Sequence, residues 1–273
     1  MSPYLRRHIA LPTDHGTWVF ILSPLLIGIF AAGVWTPATT VLVVAVMAAF
    51  LIRQPVTIAT KAYSGRRSRR DLPAARFWML IYGVAITSAT LSLIGLGYAY
   101  ILILAIPGIP VFIWHLYLVS RRQERRQAGI EIVGSGVLAL SAPAAYWVGV
   151  GSVDPTGWWL FLLVWLQSAA SIVYAYLRLA QRDLVKLPPV RERFMIARRA
   201  LLYTSFNFLF SVIFAWTLLP SLIWLPYSIQ WLESLWGSYH PAIGIKPTRI
   251  GLRQLIVSTI FTLTFILAWH LSG

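Results

Sequence analysis

The sequence predicts an all-α, polytopic transmembrane bundle of about nine helices, eight if one short segment stays in the interface, with its N-terminus in the cytoplasm. Three observations predict it. The chain is 58% hydrophobic and only 11% charged, with a mean hydropathy of +0.72, whereas soluble proteins carry about 25% charged residues. Apolar stretches of about 15 to 24 residues, near the length that crosses a bilayer, alternate with short connectors. All 23 lysines and arginines fall at 6–7, 53–76, 121–126, 178–199 and 246–253, in every second connector. The connectors near 35–37, 96–97, 149–157 and 219–220 contain none. Cytoplasmic loops carry such an excess, which places 6–7 and the other basic connectors inside.

Taken in order, the spans are expected near 17–35, 38–58, 76–95, 98–118, 130–150, 157–179, 200–219, 221–236 and 252–271. Residues 1–16 are polar and hold Arg6, Arg7, His8, Asp14 and His15, and His8 is expected in a mobile arm. The apolar stretch after them has no small-residue cleavage signature, so it is expected to stay as the first transmembrane helix. The eighth span is short and carries Pro226, Gln230 and Glu233. If it lay in the interface, Lys246, Arg249 and Arg253 would face outside, against the other 20 basic residues, so nine spans are preferred. Trp35, Trp158, Trp159, Trp216, Trp224 and Trp269 lie near outer helix ends, as interfacial anchors do.

Close packing, rather than transfer from water, drives helix association in lipid, so small and polar residues mark the interior. Gly134, Ser135, Gly136, Ser141 and Ala142 in the fifth span, and Gln167, Ser168, Ala169, Ala170 and Ser171 in the sixth, nominate these two for central positions. Pro107, Pro110 and Pro143 each remove a backbone donor and predict kinks. The connectors at 59–75 and 180–199 are too short for an independent core, so residues 1–273 are read as one integral membrane domain.

A net charge of +15 invites a nucleic-acid reading. These charges flank apolar segments instead of forming one basic domain, which fits orientation and attraction to anionic lipid. Zero cysteines exclude disulfides and thiolate metal sites in this chain. Ser/His/Asp catalysis, a Gly-rich phosphate loop and an HExxH site find no match, and no metal site is assigned.

The candidate ligand-binding residues are basic, aromatic and imidazole groups at the inner ends of the helices. Arg53 sits about 16 residues into the second span, ahead of the main charge cluster, and an intramembrane arginine is costly unless partnered or snorkelling. Arg178 ends the sixth span in the same way. With Lys61, Tyr63 and Tyr174 nearby as donors, the two arginines nominate a shared site for an anionic headgroup or phosphate. His15, His115 and His240 map near the inner ends of the first, fourth and eighth spans. Imidazoles there suit a haem, a pigment or a quinone's protons, or else bond to loop carbonyls. No cofactor is assigned. Glu131 starts the fifth span, where the helix dipole favours a carboxylate, and Glu233 rides on the eighth span toward the interior.

The segment LPTDHGTWVFILSPLLIG at 11–28, with Asp14, His15, Gly16 and Trp18, resembles the YwiC-like family of bacterial integral membrane proteins. Arg53-Gln54-Pro55, the RRQERR run at 121–126 followed by Glu131, and IKPTRIG at 245–251 extend the resemblance over most of the chain. It implies a bacterial cytoplasmic-membrane architecture and carries over no catalytic residues. The plan of nine helices with long inner connectors after the second and sixth is more distantly similar to UbiA-type intramembrane prenyltransferases. That resemblance implies aspartate-rich motifs holding magnesium against a prenyl diphosphate. Here only Asp71 and Asp183 stand near those connectors. The expected function is a binding or accessory membrane protein with a basic, cytoplasm-facing cavity for an anionic lipidic ligand. The alternatives are a UbiA-like transferase acting on a prenyl diphosphate and an accessory subunit of a membrane redox or photosynthetic complex. Membrane lipids, a prenyl or other anionic lipid and other membrane subunits are the expected partners, and nucleic acid is not.

Overall fold

The computed structural model describes residue 4 and residues 6–12, 15–122 and 127–272; for His15 it describes the backbone alone. Among the described residues it is helical without strands. Asp14, Glu124 and Gly273, and positions 123–126 of the RRQERR run, lie outside them. Each of the nine expected spans has its counterpart, with shifted ends. In chain order the helices are α1 (Arg7–Ala10), α2 (His15–Ala32), α3 (Pro37–Tyr63), α4 (Leu72–Gly95) and α5 (Ala105–Ser120). They continue as α6 (Ala128–Ala139), α7 (Ser141–Val150), α8 (Pro155–Gln181), α9 (Val190–Ala215), α10 (Trp224–Tyr239) and α11 (Pro247–Ser272).

The ends follow from local chemistry. Thr36 caps α3 in a reciprocal arrangement with Thr39, and Pro37 occupies the first turn, where its missing N–H costs nothing. The fourth span opens with a 3₁₀ turn at Ala99–Leu104 before α5 begins. The fifth span is two helices, α6 and α7, interrupted at Leu140. Pro143 is the cause: it cannot donate to Ala139 and its ring crowds that carbonyl. Glu131 lies in the first turn of α6, where a carboxylate faces the positive helix end.

Two expectations about the connectors are corrected. Residues 180–199 are not all loop, because Pro189 launches α9 at Val190, and Arg191, Arg193, Arg198 and Arg199 ride on its first turns. His8 does not lie in a loose arm. It belongs to α1, its carbonyl accepts from Gln54 Nε2 at 3.1 Å, and its neighbour Ile9 is fully buried with Ile58, Ala59 and Ala75. An apolar residue that follows two arginines can reach a groove while the charges stay at the rim.

The chain divides into two compact units, Met1–Phe161 and Leu162–Gly273, with α8 beginning in the first and continuing in the second. In the first unit α3 pairs with α4 and α2 with α7. A side chain added at Gly28 would collide with the carbonyl of Ala142, and one at Gly149 with Ala32, so α2 and α7 meet nearly backbone to backbone. Leu25, Ile29, Leu42, Leu93, Ala145 and Trp147 form the core beside this seam. In the second unit α10 packs on both α9 and α11. Tyr227 donates to the carbonyl of Leu163 at 2.9 Å and meets Phe261 edge-on.

Among the described residues six helical stretches are long and apolar enough to cross a membrane: Pro37–Tyr63, Arg69–Gly95, Ala99–Ser120, Ala128–Val150, Pro155–Gln181 and Pro247–Ser272. The chain is a multi-pass membrane protein. The apolar windows of Ala128–Val150 and Pro155–Gln181 are more than half buried, and those of the other four less than a third. The small and polar residues of the fifth and sixth spans are therefore interior, as expected. α10 has 16 residues, about 24 Å at 1.5 Å per residue, short of a hydrocarbon layer of about 30 Å.

Candidate functional site

In the second unit, the last two turns of α8 meet the C-terminal half of α10 and the first turns of α11. Tyr174, Arg178 and Gln181 follow one another at intervals of four and three, which keeps them on one face of α8. Gly237 makes their approach possible, since a side chain there would run into the Tyr174 ring.

Arg178 is 3% exposed. Its Nη1 donates to the carbonyl oxygens of Gly237 at 2.9 Å and His240 at 2.7 Å, and to Gln181 Oε1 at 2.9 Å. Those carbonyls belong to the end of α10, where intrahelical donors run out and the dipole is negative. Arg178 is thus the cap of α10. Gln181 completes it, accepting from the backbone N–H of Ala242 at 3.3 Å while donating to Gly237 at 3.1 Å.

One turn toward the middle of α8, the Tyr174 hydroxyl donates toward both Glu233 oxygens within reach, the backbone carbonyl at 3.0 Å and Oε1 at 2.9 Å. Arg253 closes on the same carboxylate side-on, Nε to Oε1 at 2.6 Å and Nη2 to Oε2 at 2.8 Å. Its guanidinium carbon lies 3.6 Å from the centre of the Trp236 ring, and that of Arg178 lies 5.5 Å from it. His240 also stacks on Trp236, with centroids 5.0 Å apart. Two guanidiniums face one carboxylate across an aromatic ring, leaving one formal positive charge. The side-on pairing uses Nε and Nη2 of Arg253 and leaves Nη1 as its distal donor. The Arg253 side chain is 42% exposed and that of Glu233 only 9%, so the cluster presents its charge outward through Arg253.

Of the residues nominated from sequence, the structure brings Tyr174 and Arg178 together. Arg53, Lys61, Tyr63 and His115 belong to the first unit. The Arg53 guanidinium lies over Phe50 at 5.2 Å, and the Tyr63 hydroxyl accepts from Arg76 Nη2 at 2.7 Å. Lys61 ends α3 and His115 lies in α5, both half-buried. His115 and His240 belong to different units, and the His15 side chain lies outside the described residues. The two aspartates singled out beside the long connectors have separate surroundings. Asp71 is held by Arg6 at 2.6 Å and Arg67 at 2.7 Å in the first unit, while Asp183 is largely exposed beside Arg182 in the second. Among the described residues no three His, Cys, Asp or Glu side chains gather as metal ligands do.

Sequence reasoning underrated Arg253, Trp236 and Gln181. Arg253 reads as one more connector charge, although it stands six residues inside α11. That intramembrane position, opposite the solitary Glu233 of α10, was the available signal.

Residues 11–146 match the family described as YwiC-like protein. Among curated proteins, the uncharacterized protein YwiC of Bacillus subtilis (strain 168) is 25% identical over 154 residues, which cover 56% of this chain and 59% of that protein. The match thus spans less than two thirds of that relative. No solved structure matches the chain.

Proposed function

Because residues 11–146 match the YwiC-like family, we propose that the chain is a binding or accessory protein of the bacterial cytoplasmic membrane that holds an anionic lipid headgroup. The proposed site is the inner-leaflet end of its second unit. The observation that carries this reading is the pair Arg178 and Arg253 on Trp236 against the single carboxylate of Glu233. The cluster lies beyond residue 146, so the reading rests on its geometry.

Arg178 is spent on the end of α10. It fixes the loop and adds positive potential beneath it. Arg253, stacked and half paired, offers a planar donor to a phosphate oxygen at headgroup depth, where charge-assisted bonds are strong. Arg249 and Lys246 precede it on exposed positions at the start of α11 and extend the attraction to anionic lipid. The orientation assumed is the one that places all basic connectors inside. Asp71 is engaged by Arg6 and Arg67, and Asp183 stands beside Arg182; carboxylates so occupied favour headgroup binding over magnesium-dependent prenyl transfer.

Native mass spectrometry of purified protein offered equal amounts of phosphatidylglycerol and phosphatidylcholine tests the reading. Wild type should retain the anionic lipid in several-fold excess, and Arg253→Ala should reduce that excess. Equal retention of both lipids by wild type sinks it.

A further inference from the structure

A second polar centre lies in the middle of the same unit, away from any formal charge. Gln167 of α8 donates through Nε2 to Gln230 Oε1 of α10 at 3.4 Å, a long bond. Three atoms around this contact are buried without a hydrogen-bond partner among the described residues: Gln167 Oε1, Gln230 Nε2 and Ser234 Oγ. The three residues are 5%, 1% and 0% exposed. Ser234 is one turn from Gln230 on the same face of α10. Exchanging the oxygen and nitrogen of both amides reverses the direction of the one bond between them.

Neighbouring hydroxyls make clear that this is a local exception. Ser168 bonds the carbonyl of Val164, Thr204 that of Ala200, Ser238 that of Ser234, and Asn207 reaches the carbonyl of Leu166. Ser171 donates to Gln254. Buried polar groups in proteins are satisfied as these are, so three orphans gathered on two facing helices mark a place for a guest.

We propose that Gln167, Gln230 and Ser234 bind internal water in the core of the second unit. The chemistry selects the guest. An acceptor, a pair of N–H donors and a hydroxyl together suit a small uncharged molecule that both donates and accepts. A cation would face the Gln230 N–H groups and an anion the Gln167 oxygen. All three residues are buried, and water is the small guest that typically makes about three hydrogen bonds in such sites. Along α8 the polar positions 167, 171, 174 and 178 continue at helical spacing from this site to the charged cluster. The water therefore sits at the mid-helix end of a polar seam. The site is independent of headgroup binding.

The test is a crystal structure of the purified protein at a resolution that shows other buried waters. Density within about 2.6–3.2 Å of at least two of the three atoms is expected. No density there, or a reciprocal amide pair with Ser234 turned onto a protein carbonyl, overturns the proposal. Thermal unfolding gives a second measure. Removing an unpaired hydroxyl stabilises a protein, whereas removing a water's partner does the reverse. Ser234→Ala should lower Tm by about 2–4 °C, and a rise would contradict the bound water.

Discussion

Glu233 and Arg253 are joined through both carboxylate oxygens, at 2.6 and 2.8 Å, across the junction of α10 and α11. The pair is asymmetric. Glu233 is nearly buried and Arg253 nearly half exposed, so losing the arginine leaves a poorly solvated carboxylate without its charged partner.

From that asymmetry, Arg253→Ala should destabilise the protein by about 1–3 kcal/mol, below the range of a fully buried pair because one partner is solvated. Glu233→Gln combined with Arg253→Ala should recover part of the loss. Thermal unfolding in detergent of the two single variants and the double variant supplies the cycle. Additive effects would mean the two side chains do not interact.

Arg178→Ala should cost about 1–3 kcal/mol, because the last carbonyls of α10 lose a charged donor. Arg178→Lys should restore only part of it, since an ammonium cannot reproduce the planar fork. Proteolysis around residues 237–244 is the readout, and cleavage no faster in Arg178→Ala than in wild type would contradict the capping role.

Gly237→Ala drives a methyl group into the Tyr174 ring, and Gly28→Ala drives one into the carbonyl of Ala142. Each should cost about 1–3 kcal/mol through overpacking. Tyr174→Ala should relieve the first substitution, and no side-chain change relieves the second, whose obstacle is backbone. Melting temperatures of the single and paired variants test this.

The absence of cysteine makes orientation directly measurable. Single cysteines replacing the exposed residues Arg70, Arg191 and Lys246 should resist an impermeant thiol reagent in intact cells. One replacing the exposed Ser152 should react. Reaction at 70 with protection at 152 would invert the topology, and reaction at 246 alone would remove one span.

The sequence by itself determined the all-α class, nine helical segments, their approximate limits and the burial of the fifth and sixth spans. Hydrophobic length and small-residue content are local properties, and lipid makes them nearly sufficient, because any spanning segment must satisfy its own backbone. Pro143 announced an interruption for the same reason. Tertiary structure decided what each polar group does. Arg178 was visible as an intramembrane charge, yet nothing in its neighbourhood said that it would cap α10, because the carbonyls it binds are 59 and 62 residues away in sequence. The pairing of Glu233 with Arg253 depended likewise on how α10 turns onto α11. Ile9 looked like part of a polar arm until the groove between α3 and α4 gave it somewhere to be buried. A charge or hydroxyl in a membrane protein is legible as a cost from its position alone, but the partner that offsets the cost is chosen by packing.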